Sequence, residues 1–227
     1  IVRAGENTLF PYDENPENLL IKEDDIVFLD FGPIFEYWEA DYGRTYVLGG
    51  DPLKQKLVSD IEAAWKEAST FFHSQKEISG AALYKYCCDL ATDKGWEFGG
   101  PIAGHLIGHF PHEKLEKEDK TNYIHPENHI DMNAPNQKGE QRHWILEIHF
   151  VDRQKKIGGF FEQVERLPYD VSGGVCFFVC LFVPRFFCFF GGRRYRGFGF
   201  PLSLVRQTVQ SFIQGVGNLA ELGEPLV

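Results

Sequence analysis

The stretch IVFLDFGPIFEYWEADYGRTYVL, residues 26–48, decides the fold. Its first six residues form an apolar run, which predicts a buried strand over 26–31, and Gly32-Pro33 ends that strand. Aromatic and β-branched residues then predict a second strand over about 37–48. We expect the two strands to form an antiparallel hairpin joined by a short turn, which brings side chains of both strands to one face of a sheet.

Two acids, Asp30 and Asp41, lie eleven residues apart in these two strands. A carboxylate in an apolar strand is costly to bury unless it is paired or bound to a metal ion. Two buried acids on one face repel each other, and a divalent cation removes that repulsion. The alternative is that Asp41 pairs with nearby Arg44 and that Asp30 only forms a turn at the end of its strand.

Working outward, the sequence predicts helices and further strands in an order typical of an α+β fold. Asp51-Pro52 is a favourable helix start, because Asp caps the first turn and Pro fits its first position. A second helix is predicted from near Ser79 to a point before Gly95. The remaining predicted segments are an irregular entry segment (1–24), a long loop (114–142) and two strands (143–152 and 158–167).

Further candidate ligands lie outside the hairpin. The segment GHLIGHFPHE, residues 104–113, contains three histidines, and imidazole is a common ligand of Zn, Mn, Fe and Co. Glu147 and Glu162 each interrupt an apolar strand, as Asp30 does. For each residue alone a solvated loop or a half-exposed strand is the simpler explanation. Taken jointly, four acids and one histidine favour a hydrolytic centre with two metal ions.

Composition limits the other possibilities. The chain has 227 residues and a formal net charge of −10, so nucleic acid is not an expected partner. Its five cysteines are too few for a disulfide scaffold of this length. The start of the sequence has no pattern of a secretory signal, so cytoplasmic localisation is expected.

The last 60 residues differ in composition from the rest, with five Arg and no Lys. We therefore expect a domain over 1–167 followed by an atypical tail over 168–227. Residues 173–183 are almost wholly apolar, but eleven residues are too few for a membrane helix, so membrane association is not expected.

The order of Asp30, Asp41, His105, Glu147 and Glu162 resembles the metal ligands of the pita-bread metallopeptidases, the family of methionine aminopeptidase, Xaa-Pro aminopeptidase and prolidase. The spacing within DFGPIFEYWEADYGRT is similar to the hairpin of that family. GHLIG resembles its metal-histidine motif, and FPHE resembles its second histidine motif. The resemblance covers about residues 1–167. It implies an α+β pita-bread fold that is shortened at its N-terminus, since the family usually has more chain ahead of the hairpin.

The resemblance also implies roles. Asp41 and Glu162 would bridge two divalent metal ions, Asp30 would bind one ion, and His105 and Glu147 would bind the other. A hydroxide bridging the ions would attack the peptide carbonyl, because metal binding makes hydroxide available near neutral pH. Glu147 would also carry a proton to the leaving amine. Manganese is the expected metal, with cobalt, zinc and iron as alternatives.

The second histidine motif implies a role for His112, which would donate a hydrogen bond to the substrate carbonyl or the oxyanion. No role is assigned to His109. Three departures from the family pattern weaken a prediction of proline specificity: Phe10 and Pro101 stand where many members have histidine, and Ile148 stands where many have proline.

The function predicted in this way is that of a dinuclear metallo-aminopeptidase acting on short peptides, most similar to the Xaa-Pro type. A homodimer is one assembly that the resemblance allows. Two alternatives within the family are a catalytically inactive module that binds proteins and a metal-free creatinase-like hydrolase. A mononuclear cupin built on the histidines of 104–113 is an alternative outside the family, and the two predicted helices ahead of that segment argue against it.

Overall fold

The computed structural model describes residues 1–32, 34–35, 38–39, 41–107 and 119–165 of the chain. Its α-helices are α1 (Pro52–Ser74) and α2 (Gly80–Asp93), and short 3-10 helices span Gly5–Leu9 and Lys120–Asn122. The strands are β1 (Val2–Ala4), β2 (Ile26–Phe31), β3 (Ile34–Phe35), β4 (Trp38–Glu39), β5 (Tyr42–Val47), β6 (Glu97–Phe98), β7 (Gly104–Leu106), β8 (Trp144–Asp152) and β9 (Ile157–Val164).

Seven of the strands form one antiparallel sheet. Its order is β1-β2-β5-β9-β8-β6, and β7 pairs with β8 beside this path. β3 and β4 form a separate two-stranded sheet. The α+β class is therefore confirmed, and strands from both halves of the described chain meet at the centre of the sheet.

The predicted pairing of the first two strands is confirmed, but the predicted short turn between them is wrong. β2 pairs with β5, with Asp30 opposite Gly43. The connection over 32–41 contains the small hairpin of β3 and β4, and the strand predicted over 37–48 is divided into β4 and β5. The pattern could not locate this division, because aromatic residues continue through both strands.

The entry segment over 1–24 is more regular than predicted. β1 pairs with β2, and the 3-10 helix Gly5–Leu9 follows directly. A strand of three residues is too short to produce an alternation that a sequence pattern can detect. The same reason applies to β6 and β7, which were not predicted.

The two helices begin where their caps predict. The side chain of Asp51 accepts hydrogen bonds from the backbone N–H groups of Leu53 and Lys54, and that of Ser79 accepts one from Ala82. The helices share a buried apolar cluster with alternate residues of β8, namely Leu146, Ile148 and Phe150. Because successive strand residues point to opposite faces, Glu147 and His149 face away from this cluster.

The helical layer is tied to the sheet by a polar contact as well. The indole Nε1 of Trp65 in α1 donates a hydrogen bond of 2.9 Å to the backbone carbonyl of Leu146. Within the described residues, no helix has both the length and the apolar character needed to span a membrane. The boundary predicted at Leu167 and the predicted tail lie outside the described residues.

Candidate metal centre

A row of residues crosses four strands of the large sheet. Asp30 on β2 is opposite Gly43 on β5, Gly43 is opposite Glu162 on β9, and Glu162 is opposite Glu147 on β8. Residues paired in this way project to the same face of a sheet. The register therefore gathers three of the predicted acids on the face opposite to the helices.

Asp41, directly before β5, and His105, on β7 beside β8, complete the group. Ligand atoms of Asp41, His105 and Glu162 all lie within 4.8 Å of one another. The Nε2 atom of His105 is 3.3 Å from Oδ2 of Asp41 and 3.6 Å from Oε1 of Glu147. The Nδ1 atom of the same ring is 2.9 Å from the carbonyl oxygen of Leu106. The donation from Nδ1 leaves Nε2 directed at the acids.

Two glycines make this close approach of strands geometrically possible. Gly104, directly before His105, has φ +134°, and a Cβ there would lie 2.0 Å from the carbonyl oxygen of Ile145. At Gly43, a Cβ would lie 2.5 Å from ring carbons of Phe160 and 2.8 Å from the Cβ of Glu162. A side chain at either position would displace a strand that carries a candidate ligand.

Three acids of the group, Glu147, Glu162 and Asp30, have a raised pKa and so hold protons more tightly than isolated carboxylates do. Burial raises the pKa of Glu147 to about 7, with repulsion from Asp41 and Asp30 adding to the effect and His105 opposing it. Burial, with repulsion from Glu147, raises the pKa of Glu162 well above its usual value. Burial and the charge of Asp41 likewise raise the pKa of Asp30.

The histidine responds in the complementary way. Burial alone would lower the pKa of His105, but its hydrogen bond to Asp41 and the negative charge of Glu147 raise it to about 9. A single imidazole therefore compensates only part of the negative charge that the acids would carry. When its acids are ionised, the group therefore has an excess of negative charge.

The donor set fits divalent metal ions. Glu162 is only 3% exposed, and its Oε2 atom is buried without a hydrogen-bond partner among the described residues. A buried carboxylate oxygen without a partner is costly unless a proton or a cation compensates it. Carboxylates with one imidazole are a suitable ligand set for Mn, Fe, Co or Zn.

The alternative partner considered for Asp41 is wrong. The guanidinium of Arg44 donates hydrogen bonds to the backbone carbonyls of Gly43 and Glu162 and to the side chain of Gln163. Asp41 instead faces His105. Arg44 points to the opposite face from the acids, because strand residues alternate.

A cavity of about 770 Å³ opens over the group and is lined by all five candidate ligands. Phe10 and Pro101, two of the positions where the sequence departs from the family pattern, also line this cavity. His109 and His112 lie outside the described residues.

One polar residue beside the group was not predicted. His149 is 4% exposed, and its Nε2 atom is 2.9 Å from the carbonyl oxygen of Thr8. Its ring packs edge-on against Phe28 and Phe160, each at a centroid distance of 6.2 Å. Burial lowers the pKa of His149 to about 4, so the ring is neutral and Nε2 donates to Thr8. His149 follows Glu147 by two residues in the same apolar strand, so both side chains lie on the same face of the sheet. This spacing could have identified His149 from the sequence.

Comparison with known proteins assigns the family. The sequence model of metallopeptidase family M24 matches residues 1–140. The chain belongs to metallopeptidase family M24. The matched range contains Asp30, Asp41 and His105 of the M24 chain, and Glu147 and Glu162 follow it.

Two curated relatives of the M24 chain, from Mycoplasma genitalium and Mycoplasma pneumoniae, are provisionally named Xaa-Pro aminopeptidase. They are 26% and 25% identical to it over 132 residues, which is 57% of this chain and 37% of each relative. The chain therefore spans well under half the length of these relatives.

Solved structures show the same fold. A prolidase from Thermococcus sibiricus has a TM-score of 0.54 at 23% identity, covering 72% of this chain and 41% of that one. An X-Pro aminopeptidase from Thermotoga maritima has a TM-score of 0.56 at 21% identity, covering 72% and 42%. The pita-bread fold predicted for the M24 chain is thereby confirmed.

Proposed function

We propose that this chain is a metal-dependent aminopeptidase that hydrolyses the N-terminal peptide bond of short peptides, with a preference for proline as the second residue. The observation that carries the proposal is that ligand atoms of Asp41, His105 and Glu162 lie within 4.8 Å of one another in the lining of a cavity. Membership of a metallopeptidase family supports the reaction class. The names of the relatives and structural neighbours support the peptide class.

We propose that the five candidate ligands would hold two divalent ions. Asp41 and Glu162 would be shared by both, Asp30 would serve one, and His105 and Glu147 would serve the other. Two such ions supply Lewis-acid polarisation and lower the pKa of water, which makes hydroxide available near neutral pH. Manganese is the first candidate, and cobalt, zinc and iron are alternatives.

Glu147 is the residue proposed to move a proton. Glu147 lines the cavity beside the other candidate ligands, where a carboxylate can act as a general base and then as a general acid. We propose that the carboxylate accepts a proton from the attacking water and delivers it to the leaving amine. A hydrogen bond from His112 to the carbonyl oxygen remains a prediction.

The volume and the lining residues of the cavity influence which substrates can bind. A cavity of about 770 Å³ is within the usual range for pockets that enclose small ligands. Phe10 and Pro101, which depart from the family pattern that the resemblance implies, line this cavity. We propose that these two side chains contact apolar parts of the substrate. Cytoplasmic localisation and a homodimer remain predictions from the sequence.

The proposal is tested with peptides that differ only at the second residue. Chelator-stripped protein reloaded with Mn²⁺ is incubated with Ala-Pro-Ala and Ala-Ala-Ala, and the released N-terminal alanine is quantified. We expect faster release from Ala-Pro-Ala. Asp41→Asn should lower the rate by more than about 100-fold, since even partners of metal ligands cost about 10–100-fold.

The matched control for that variant is Asp119→Asn. Asp119 is an acid that caps the 3-10 helix Lys120–Asn122 and is not among the candidate ligands. This control should keep most of the activity. Release of no amino acid from either peptide by folded, metal-loaded protein would contradict the proposal and favour a module that only binds.

A further inference from the structure

The separation of two candidate ligands depends on how β5 pairs with β9. Asp41 directly precedes β5, and Glu162 lies in β9. The register between these strands consists of two pairs, Tyr42 with Gln163 and Gly43 with Glu162. By contrast, β8 and β9 share eight pairs. The pairing of β5 with β9, which sets the distance between Asp41 and Glu162, is thus shorter than the pairing of β8 with β9.

Beyond Gly43, a hydroxyl group links the two strands. The Oγ1 atom of Thr45 donates a hydrogen bond of 2.7 Å to the carbonyl of Phe160 and accepts one of 2.7 Å from the N–H of Phe160. Thr45 is 8% exposed. Because a threonine hydroxyl can donate and accept at once, it satisfies both backbone groups of Phe160.

A guanidinium group links the same strands beside the ligand row. The Nη1 atom of Arg44 donates hydrogen bonds of 2.7 Å to the carbonyl of Gly43 and to that of Glu162. The guanidinium carbon lies 3.9 Å from the ring centroid of Tyr42 and 3.7 Å from that of Phe161. Contact with two rings fixes the plane of the group, so its donors are held in place.

We propose that Arg44 and Thr45 are positioning residues, which fasten β9 to β5 and thereby set the spacing of Asp41 and Glu162 for metal binding. This role rests on the proposed function. Neither residue is among the five proposed ligands. Both act through the backbone, Arg44 on the carbonyl of Glu162 itself and Thr45 on Phe160, two residues before it.

Metal sites are sensitive to such spacing. Ligand distances are held to within about 0.2 Å, and loss of a partner that orients a ligand costs about 10–100-fold in metal affinity. Freeing β9 from either link should therefore lower Mn²⁺ affinity by about 10–100-fold. The ligands themselves remain present in each variant.

The experiment uses the full chain and matched variants. Thr45→Val keeps the side-chain shape but removes both hydrogen bonds, whereas Thr45→Ser keeps the hydroxyl. Arg44→Met removes the guanidinium. Arg142→Met is the control, because Arg142 also donates to backbone carbonyls and lies over a ring, that of Trp144, without lining the cavity.

Mn²⁺ affinity is measured by calorimetry, and the visible absorption spectrum of Co²⁺-loaded protein reports the ligand geometry. We expect weaker Mn²⁺ binding and an altered Co²⁺ spectrum in Thr45→Val and Arg44→Met. Thr45→Ser and Arg142→Met should resemble the wild type in both. Rescue by Thr45→Ser separates a role of the hydroxyl from a general loss of packing.

Three results would overturn the positioning role. The first is wild-type affinity and spectrum in both Thr45→Val and Arg44→Met, which leaves the proposed function intact. The second is an equal loss in Arg142→Met, which indicates a general effect. The third is a folded wild type that binds no Mn²⁺, which contradicts the proposed function and removes this role with it. Should Thr45→Val fail to fold, the comparison of Arg44→Met with Arg142→Met decides.

Discussion

The position of the candidate ligand Glu162 depends on the absence of a side chain at Gly43. Gly43 stands between Asp30 and Glu162 in the row across the sheet. The ring of Phe160 and the Cβ of Glu162 occupy the volume where a side chain would be. The absence of a side chain at Gly43 is therefore a condition for the position of Glu162.

Gly43→Ala is expected to weaken metal binding without removing a ligand. The added methyl group must push aside Phe160 or Glu162, which should lower Mn²⁺ affinity by about 10–100-fold. Overpacking should also lower the free energy of unfolding by about 1–3 kcal/mol. Calorimetry and urea unfolding measure the two effects.

The control is Gly50→Ala, because a Cβ at Gly50 would meet nothing within 4 Å. That variant should bind Mn²⁺ like the wild type. Equal affinities of the Gly43 and Gly50 variants would show that the Glu162 position does not depend on this contact.

At the residue scale, the sequence indicated the candidate acids more readily than the residues around them. A charged residue in an apolar strand is visible in one chain, and this identified Asp30, Glu147 and Glu162. The position of His105 came from a motif resemblance. The Arg44 contacts were missed, because its partners Glu162 and Gln163 are more than one hundred residues away in the sequence.

Among the elements, the 3-10 helix Gly5–Leu9 is attached to β8 and β9 through hydrogen bonds of Thr8. The hydroxyl of Thr8 accepts a hydrogen bond of 2.8 Å from the N–H of Gly158, and its carbonyl accepts one of 2.9 Å from His149. Thr8 is fully buried. This element thereby lies across β8 and β9 on the face that carries the acids.

Thr8→Val tests that attachment. The substitution keeps the shape but leaves the buried N–H of Gly158 without its acceptor, which should cost about 1–3 kcal/mol in the free energy of unfolding. Urea unfolding of the metal-free protein measures the loss. Thr70→Val is the control, because Thr70 is exposed and its hydroxyl bonds only to the preceding turn of α1. Similar losses in both variants would contradict a specific role of Thr8.

The elements differ in how far the sequence could predict them. The helices were predictable because Asp51 and Ser79 are caps followed by a regular apolar period. β8 and β9 were predictable from their length and apolar content. β1, β6 and β7 have two or three residues each, so only their pairing in the folded chain defines them.

On the scale of the whole molecule, the metal-free protein should lose stability as the pH rises. The pKa of Glu147 rises from 4.5 to about 7 on folding, and that of His105 rises from 6.5 to about 9. Groups that bind protons more tightly in the folded state contribute stability at low pH and lose it as the pH passes the folded-state pKa. His149 has the opposite sign, but its contribution is lost only as the pH falls from 6.5 to about 4.

We therefore expect the melting temperature of metal-free protein to fall between pH 6.5 and pH 9. Saturating Mn²⁺ should raise the melting temperature, and the increase should be larger at pH 9 because fewer protons compete for the ligands. Scanning calorimetry at a series of pH values measures both. A melting temperature of metal-free protein that rises over this range would contradict the assigned pKa shifts.

All five candidate ligands lie between residues 30 and 162 of the described chain. This span brings the whole row into one antiparallel sheet, although the chain covers only 37% of its curated relatives. The fold class was predictable from the sequence, and the candidate ligands were identified there as a hypothesis. The sequence could not predict that the residues of this row lie side by side, because their positions depend on the register of four strands.

The most direct test of the proposed centre is the number of metal ions that it binds. Chelator-stripped protein, checked for folding by circular dichroism, is titrated with Mn²⁺ in a calorimeter. The proposed centre predicts two ions per chain in the wild type and loss of this binding in Asp41→Ala, which removes a ligand shared by both. A folded wild-type protein that binds no Mn²⁺ would contradict the metal centre and the peptidase function built on it.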